Sequence, residues 1–137
     1  MPAVIRLFLL GYALLLAAPA GAQAAERCPG AETTLAISQC LARRLEASDS
    51  DLARALSEVA AQARREPGGR FLPLWRSFVA THAGGEDPAA QLRTFQTARR
   101  QLCRYTNSIS LQGSGYGLFV TACELDLNDT LLRQLRD

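Results

Sequence analysis

Few side chains in this sequence of 137 residues are suited to catalysis. His82 is the only histidine, and no serine stands in the Gly-x-Ser-x-Gly turn of serine hydrolases. A mechanism with paired carboxylates needs two buried acids whose pKa values are driven apart. We expect the acids to lie instead mostly on solvated helix faces, as the periodicity suggests for Glu46, Asp49, Asp51, Glu58, Asp126 and Asp129. The sequence therefore predicts that the protein is not an enzyme and has no catalytic residue.

A glycine-rich stretch, GSGYG at residues 113–117, is a second candidate for chemistry. Loops that cradle phosphates end in Gly-Lys-Ser or Gly-Lys-Thr and follow a β-strand, and this stretch has neither feature. We therefore predict a solvent-exposed connection between two helices, with no bound cofactor.

The four cysteines, Cys28, Cys40, Cys103 and Cys123, could form disulfides or bind zinc. The absence of a Cys-x-x-Cys pair and the single histidine argue against zinc, so we predict two disulfides and no metal site. Three pairings are possible. Pairing between sequence neighbours would close two modest loops, each stabilising the fold by about 3 kcal/mol on the chain-entropy model.

The first 24 residues are typical of a secretory signal peptide. An apolar run at residues 7–18 follows one arginine, and small residues at Ala22 and Ala24 predict cleavage after Ala24. The run is shorter than the roughly 20 residues that span a bilayer, and no cysteine follows the cleavage site directly, so we expect no stable membrane anchor. The expected product is one domain at residues 25–137, located in the periplasm or secreted.

The charge balance of that domain is close to neutral. Every basic residue is arginine, and cleavage would leave 14 arginines against 13 acidic residues, a net charge of +1. Nucleic acids and anionic membranes select strongly basic partners, so we expect neither to be the main partner.

Helical periodicity dominates residues 33–136, and no alternation of period two appears. A first, long helix begins near Thr33 or Thr34 and ends at Glu66, before Pro67 and two glycines. Its apolar stripe keeps one phase throughout: Ile37, Leu41, Leu45, Ser48, Leu52, Leu56, Val59 and Ala63. We predict an all-α fold, a small bundle of about four helices with a long first helix, stapled by two disulfides.

Three shorter helices complete the predicted bundle. In the second, which His82 ends, Trp75 shares a face with Phe71 and Phe78, which favours burial in the core over a role as an exposed anchor. Asp87 and Pro88 form a typical start for the third helix, and the last, leucine-rich helix begins around Gly117. We expect the Arg43–Arg44 and Arg99–Arg100 pairs to be solvated.

The order of these features resembles the LprI-type lysozyme inhibitor N-terminal domain family, small four-cysteine helical proteins of the bacterial envelope. The resemblance covers about residues 28–135. The matching positions are Cys28, Thr34, Cys40, Asp51, Leu52, Phe95, Arg99, Cys103, Gly113, Ser114, Cys123 and Leu135. The chain departs from the family's usual Trp at Phe95, Asp at Arg100, Thr at Asn128 and Arg at Leu131.

The resemblance implies a binding protein whose partner is lysozyme. Lysozyme holds two carboxylates in an open cleft, and a plug for that cleft needs hydrogen-bond donors on a rigid, protruding element. The segment at residues 106–117 would be braced if Cys103 pairs with Cys123. Its candidate contact residues are Arg104, Ser108, Ser110, Ser114 and Tyr116.

A net charge of +1 would give no electrostatic steering towards a basic lysozyme. The alternative is a non-catalytic structural or assembly factor of the envelope that binds proteins through its long first helix.

Overall fold

The computed structural model describes residues 24–137, so the predicted signal peptide at residues 1–24 lies outside it except for Ala24. The α-helices are α1 (Thr34–Arg65), α2 (Phe71–His82), α3 (Pro88–Thr106) and α4 (Tyr116–Arg136), and a 3-10 helix spans Ser108–Ser110. Residues 24–137 contain no strand, which confirms the all-α prediction. Within that range no helix combines the length and the apolar character needed to cross a membrane.

The long helix α1 begins and ends where its sequence signals indicate. The Thr33 side chain caps it by accepting a hydrogen bond from the Ala36 amide at 3.1 Å, and Glu66 is the C-cap. Leu41 and Leu52, on the predicted stripe, are fully buried. The single phase of that stripe therefore corresponds to one uninterrupted helix, as predicted.

Helices α3 and α4 both pack on α1, but their chains run in opposite directions. Asp49 of α1 contacts Arg99 of α3, whereas Ala53, one turn further along α1, lies beside Pro88 at the start of α3, so these two helices are antiparallel. Leu41 of α1 packs with Leu125 of α4. Asp49, which is later in α1, contacts Asn128, which is later in α4, so these two helices are parallel. The connection between α3 and α4 therefore lies at the end of the bundle where α1 begins.

Two disulfides close the fold, and both join neighbours in sequence. The first disulfide, Cys28–Cys40, ties the N-terminal segment to α1, and Cys28 packs with Leu41 and Leu125. The second disulfide, Cys103–Cys123, joins α3 to α4 with its Cα atoms 5.7 Å apart. All four cysteines are thereby used, which confirms the predicted disulfides.

Helix α2 differs from the prediction, because none of its residues is buried. Trp75 is half-buried with Leu72 and Val79, while Phe71 and Phe78 are exposed, so the predicted core burial of this aromatic face is wrong. The physical reason is that α2 packs mainly on the second half of α1, and a single neighbour covers only one flank of a helix.

Candidate functional site

The α3–α4 loop, residues 107–115, is a chain of consecutive tight turns. Asn107 ends α3 and donates from its side chain to the Cys103 carbonyl at 2.8 Å. The Leu111 and Gly113 amides then donate to the Ser108 and Ser110 carbonyls, at 3.2 and 3.0 Å. The loop thus satisfies several of its own backbone hydrogen-bonding groups.

The base of the loop is fixed by covalent and steric contacts. The second disulfide joins the last turn of α3 to α4, and Cys103 is fully buried. On the α4 side the ring of Phe119 lies against Gly115, where an added Cβ would come within 2.8 Å of its Cζ atom. A loop held at both ends loses little conformational entropy when it binds a partner.

The five predicted contact residues differ in their exposure to solvent. Arg104, Ser108 and Ser114 are exposed, whereas Ser110 and Tyr116 are half-buried. The Ser108 hydroxyl donates to the Tyr105 carbonyl at 2.7 Å, so its proton is already used within the chain. Arg104 and Ser114 are therefore the best placed of the five to offer a donor to a partner.

Sequence reasoning missed the apolar character of this loop. Ile109, at the middle of the 3-10 helix, is 95 % exposed, and its neighbours in the sequence Leu102, Tyr105 and Leu111 are exposed as well. Hydrophobic side chains on a constrained, protruding element are typical of interface anchors. The signal was present in the sequence, where Ile109 and Leu111 alternate with serines in a loop of otherwise small and polar residues.

A second cluster of polar side chains lies inside the bundle, where α1, α3 and α4 meet. We call it the ionic cluster and define it as Asp49, Arg99, Glu124 and Asn128. Arg99 is at its centre with a side chain that is only 1 % exposed. Its guanidinium binds both Asp49 carboxylate oxygens, donates to Asn128 Oδ1 at 2.6 Å, and lies 3.4 Å from Glu124 Oε1.

Further contacts complete the cluster and balance its charge. Gln96 and Asn128 donate to Asp49 at 3.0 and 2.8 Å, and Arg100 approaches Glu124 at 3.7 Å from the surface. Two arginines thus face two carboxylates. Buried ions are tolerated when they are paired and hydrogen-bonded in this way.

The electrostatics of the ionic cluster indicate a structural role. Burial alone would raise the pKa of Asp49, but hydrogen bonds from Arg99 and Asn128 and the Arg99 charge outweigh it, so the pKa lies below its ordinary value. Burial likewise opposes the Arg99 charge, and Asp49 and Glu124 more than compensate, so the pKa of Arg99 is raised. A general acid at neutral pH needs a raised carboxyl pKa, so this arrangement does not suit proton transfer by Asp49.

The ionic cluster corrects two sequence predictions. The sequence predicts a solvated Arg99 beside Arg100 and an Asp49 on a polar helix face, but the two side chains form an ion pair inside the bundle. Arg100 is exposed, as expected. Among residues 24–137, no group of three or more His, Cys, Asp or Glu side chains is arranged to hold a metal ion.

Comparison with known proteins assigns the family. The family model described as lysozyme inhibitor LprI matches residues 24–135, which is most of the chain. The chain belongs to the LprI lysozyme inhibitor family. Searches of curated proteins and of solved structures gave no match.

The ionic cluster explains part of the LprI resemblance in physical terms. Phe95, Arg99 and Cys103 recur every four residues, so they lie on one face of α3, which points into the bundle. Along that face the Phe95 ring centroid lies 5.8 Å from the Arg99 guanidinium carbon, and Cys103 forms the second disulfide. In this LprI-family chain Arg99 and Cys103 therefore join α3 to the other helices, and Phe95 lies beside Arg99 on the same face.

Proposed function

We propose that this chain is a non-catalytic inhibitor of lysozyme that acts outside the cytoplasm, in the periplasm or after secretion. The family assignment supports a role in inhibition, and the two disulfides suit an oxidising compartment. The partner is then a protein, and the inhibitor needs neither a metal nor a cofactor.

The α3–α4 loop is the element that we propose enters the lysozyme cleft. The observation that carries this proposal is the exposure of Ile109 at the middle of a loop whose base is closed by the second disulfide. Burying one such side chain stabilises a complex by roughly 1.5–3 kcal/mol. Tyr105 and Leu111, which precede and follow Ile109 within a few residues of the sequence, are exposed as well and would add apolar contacts.

Arg104 supplies the charged part of the proposed contact. It stands in the last turn of α3, is exposed, and makes no ion pair with another described residue. Its planar guanidinium can donate two parallel hydrogen bonds to a carboxylate, the group that the lysozyme cleft presents. Ser114 would add a neutral donor. Since the domain is nearly neutral overall, affinity should come from slow dissociation more than from electrostatic steering.

The alternative role, an assembly factor that binds through the long helix, has less support. Its exposed apolar residues would have to form a patch on α1. Leu35 and Val59 are the large exposed hydrophobics of α1, and 24 residues of helix separate them, about 36 Å along the axis. Leu41 and Leu52, on the apolar stripe of α1, are fully buried, and α4 and α3 make the most extensive contacts with α1.

A lysozyme assay with three variants tests the proposal. Purified protein without its signal peptide, added in micromolar excess, should lower the rate at which lysozyme clears a peptidoglycan suspension. Ile109→Asp should weaken inhibition by about 30-fold or more, and Arg104→Gln by about 10-fold. Leu74→Asp is the matched control, because Leu74 is 69 % exposed but lies on α2, at the other end of the bundle. Unchanged lysozyme rates with the unaltered protein would refute the proposal.

A further inference from the structure

Helix α2 is held to the bundle mainly by the flank that faces α1. None of its residues is buried, and neither disulfide includes it. Among residues 24–137, the side-chain hydrogen bonds and ion pairs of α2 stay within the helix or reach Glu86 just beyond it, so none of them links α2 to α1. The contact therefore depends on apolar packing, without the polar links that join α1, α3 and α4.

The packing between α2 and α1 is incomplete. Trp75 lies between two cavities. One, of about 230 Å³, extends towards Val79 and Ala83, and the other, of about 180 Å³, extends towards Phe71. Val59 of α1 borders both. Side chains beside a cavity lack the contacts that close packing supplies, so this interface is weaker than its length suggests.

Both connections of α2 contain a pair of glycines. Gly68 and Gly69 precede the helix and Gly84 and Gly85 follow it, all with φ between 63 and 122°. An added Cβ would meet no atom within 4 Å at any of the four. Glycines in open space can change their backbone angles at little cost, so α2 can move without disturbing α1 or α3.

We propose that α2 is a flap that detaches from α1 as a separate unit while α1, α3 and α4 stay folded. Twelve residues are too few for a stable isolated helix in water, so the detached α2 unwinds. The opening uncovers Leu56, Val59 and Ala60 in the second half of α1. Segments with few buried contacts open in this way at a lower free energy than the whole domain unfolds.

The rest of the bundle has links that resist such an opening. The ionic cluster joins α1, α3 and α4, and the second disulfide joins α3 to α4 covalently. The first disulfide ties the N-terminal segment to α1. Local opening should therefore be confined to α2 and its two connections.

The two connections of α2 differ in how firmly they are held. The Gln91 side chain of α3 donates to the Ala83 and Gly85 carbonyls at 2.7 and 2.9 Å. The N-terminal end of α2, by contrast, has no side-chain cap. Gln91 therefore holds the flap closed from its C-terminal side, and removing its side chain should favour the open state.

The flap is independent of the proposed inhibition. The start of α3 borders the cavity beside α2, and α3 then runs 19 residues, about 28 Å, to the α3–α4 loop. The second disulfide fixes the base of that loop without any contact from α2. Opening of the flap should leave the lysozyme-binding surface in place.

Trp75 is the only tryptophan of the chain, so tryptophan fluorescence reports on α2. Far-UV circular dichroism reports mainly on the other helices, because α2 has 12 residues against 32, 19 and 21 in α1, α3 and α4. We would unfold the disulfide-bonded protein without its signal peptide in urea and follow both signals. The fluorescence midpoint should be lower by about 1 M urea or more, and its slope shallower, because less surface is exposed.

A second reporter position is the matched control. Trp75→Phe combined with Phe95→Trp moves the tryptophan to the face of α3 that carries Arg99. Fluorescence and circular dichroism should then give the same midpoint.

Hydrogen exchange of the unaltered protein tests the flap without moving the reporter. Backbone amides of α2 should exchange about 100-fold or more faster than those around Leu52, which is fully buried in α1. Gln91→Ala should speed exchange in α2 several-fold further and leave the amides around Leu52 unchanged.

Coincident midpoints of fluorescence and circular dichroism in the unaltered protein would overturn the proposal. So would exchange in α2 as slow as around Leu52. An early fluorescence change in the control variant would also overturn it, because the opening unit would then include α3.

Discussion

Breaking the ionic cluster should cost more stability than breaking any surface ion pair of this chain. The change that we consider is Asp49→Asn, which keeps the side chain's shape but removes its charge. Arg99 then retains Glu124 at 3.4 Å and Asn128 at 2.6 Å, but loses the carboxylate that bound it through two oxygens. Removing one partner of a buried ion pair costs about 3–5 kcal/mol, and because Glu124 still compensates in part we expect about 3 kcal/mol.

The same helix offers a matched control. Asp51, two residues further along α1, forms an ion pair with Arg54 in which the arginine side chain is exposed. Such pairs contribute about 0–1 kcal/mol, so Asp51→Asn should change stability by well under 1 kcal/mol. Urea unfolding followed by circular dichroism at pH 7, with both disulfides intact, measures the difference directly. In a domain of this size 3 kcal/mol corresponds to a melting temperature lower by roughly 10 °C or more.

Equal stability of Asp49→Asn and Asp51→Asn would contradict this prediction. It would mean that water or local rearrangement solvates Arg99 as well as Asp49 does, and that the buried contacts of the ionic cluster contribute little. Asp49→Leu offers a further check, because it also removes the hydrogen bonds from Gln96 and Asn128. It should be at least as destabilising as Asp49→Asn.

Three further predictions follow from the described contacts. The pKa of Asp49 is lower in the folded chain than its ordinary 3.8, so the Asp49 charge stabilises the fold above pH 3.8, and this stabilisation is lost as the pH falls through the folded pKa. The urea concentration at the unfolding midpoint should therefore drop in acid. The drop should be smaller in Asp49→Asn, which has no carboxylate at this position. Replacing both cysteines of the second disulfide with serine should lower the free energy of unfolding by about 3 kcal/mol and weaken lysozyme inhibition. The same change in the first disulfide should lower stability in thermal melts by a similar amount. Inhibition by the folded protein should then be unchanged. Gly115→Ala should lower stability by about 1 kcal/mol in urea titrations, because Phe119 must move, while Gly117→Ala, whose Cβ would meet no neighbouring atom, should not.

Local signals were sufficient to predict the helices. Thr33 and Asp87 are capping residues with the expected side-chain hydrogen bonds, and the two glycines after Pro67 stand where the chain must turn. These signals depend on a few neighbouring residues, so the sequence contains them in full. The pairing of cysteines is different, because it depends on which helices are adjacent, and the sequence left three possibilities.

The ionic cluster and helix α2 show where sequence reasoning fails. Asp49 and Arg99 are 50 residues apart, and polarity alone placed both on the surface; the useful signal was that Arg99 shares a helix face with Cys103. In α2 the apolar residues cover two adjoining flanks, and periodicity cannot decide which flank finds a neighbour. Residue type is also a poor guide in the α3–α4 loop, where Ile109 is exposed although isoleucine is usually buried.

The most direct test of lysozyme inhibition through the α3–α4 loop is the inhibition constant, measured side by side for the unaltered protein, Ile109→Asp and Leu74→Asp. We expect inhibition by the unaltered protein, a loss of about 30-fold or more in Ile109→Asp, and unchanged inhibition in Leu74→Asp. Equal inhibition by all three would show that the α3–α4 loop is not the binding element. No inhibition by any of them would contradict the proposed function itself.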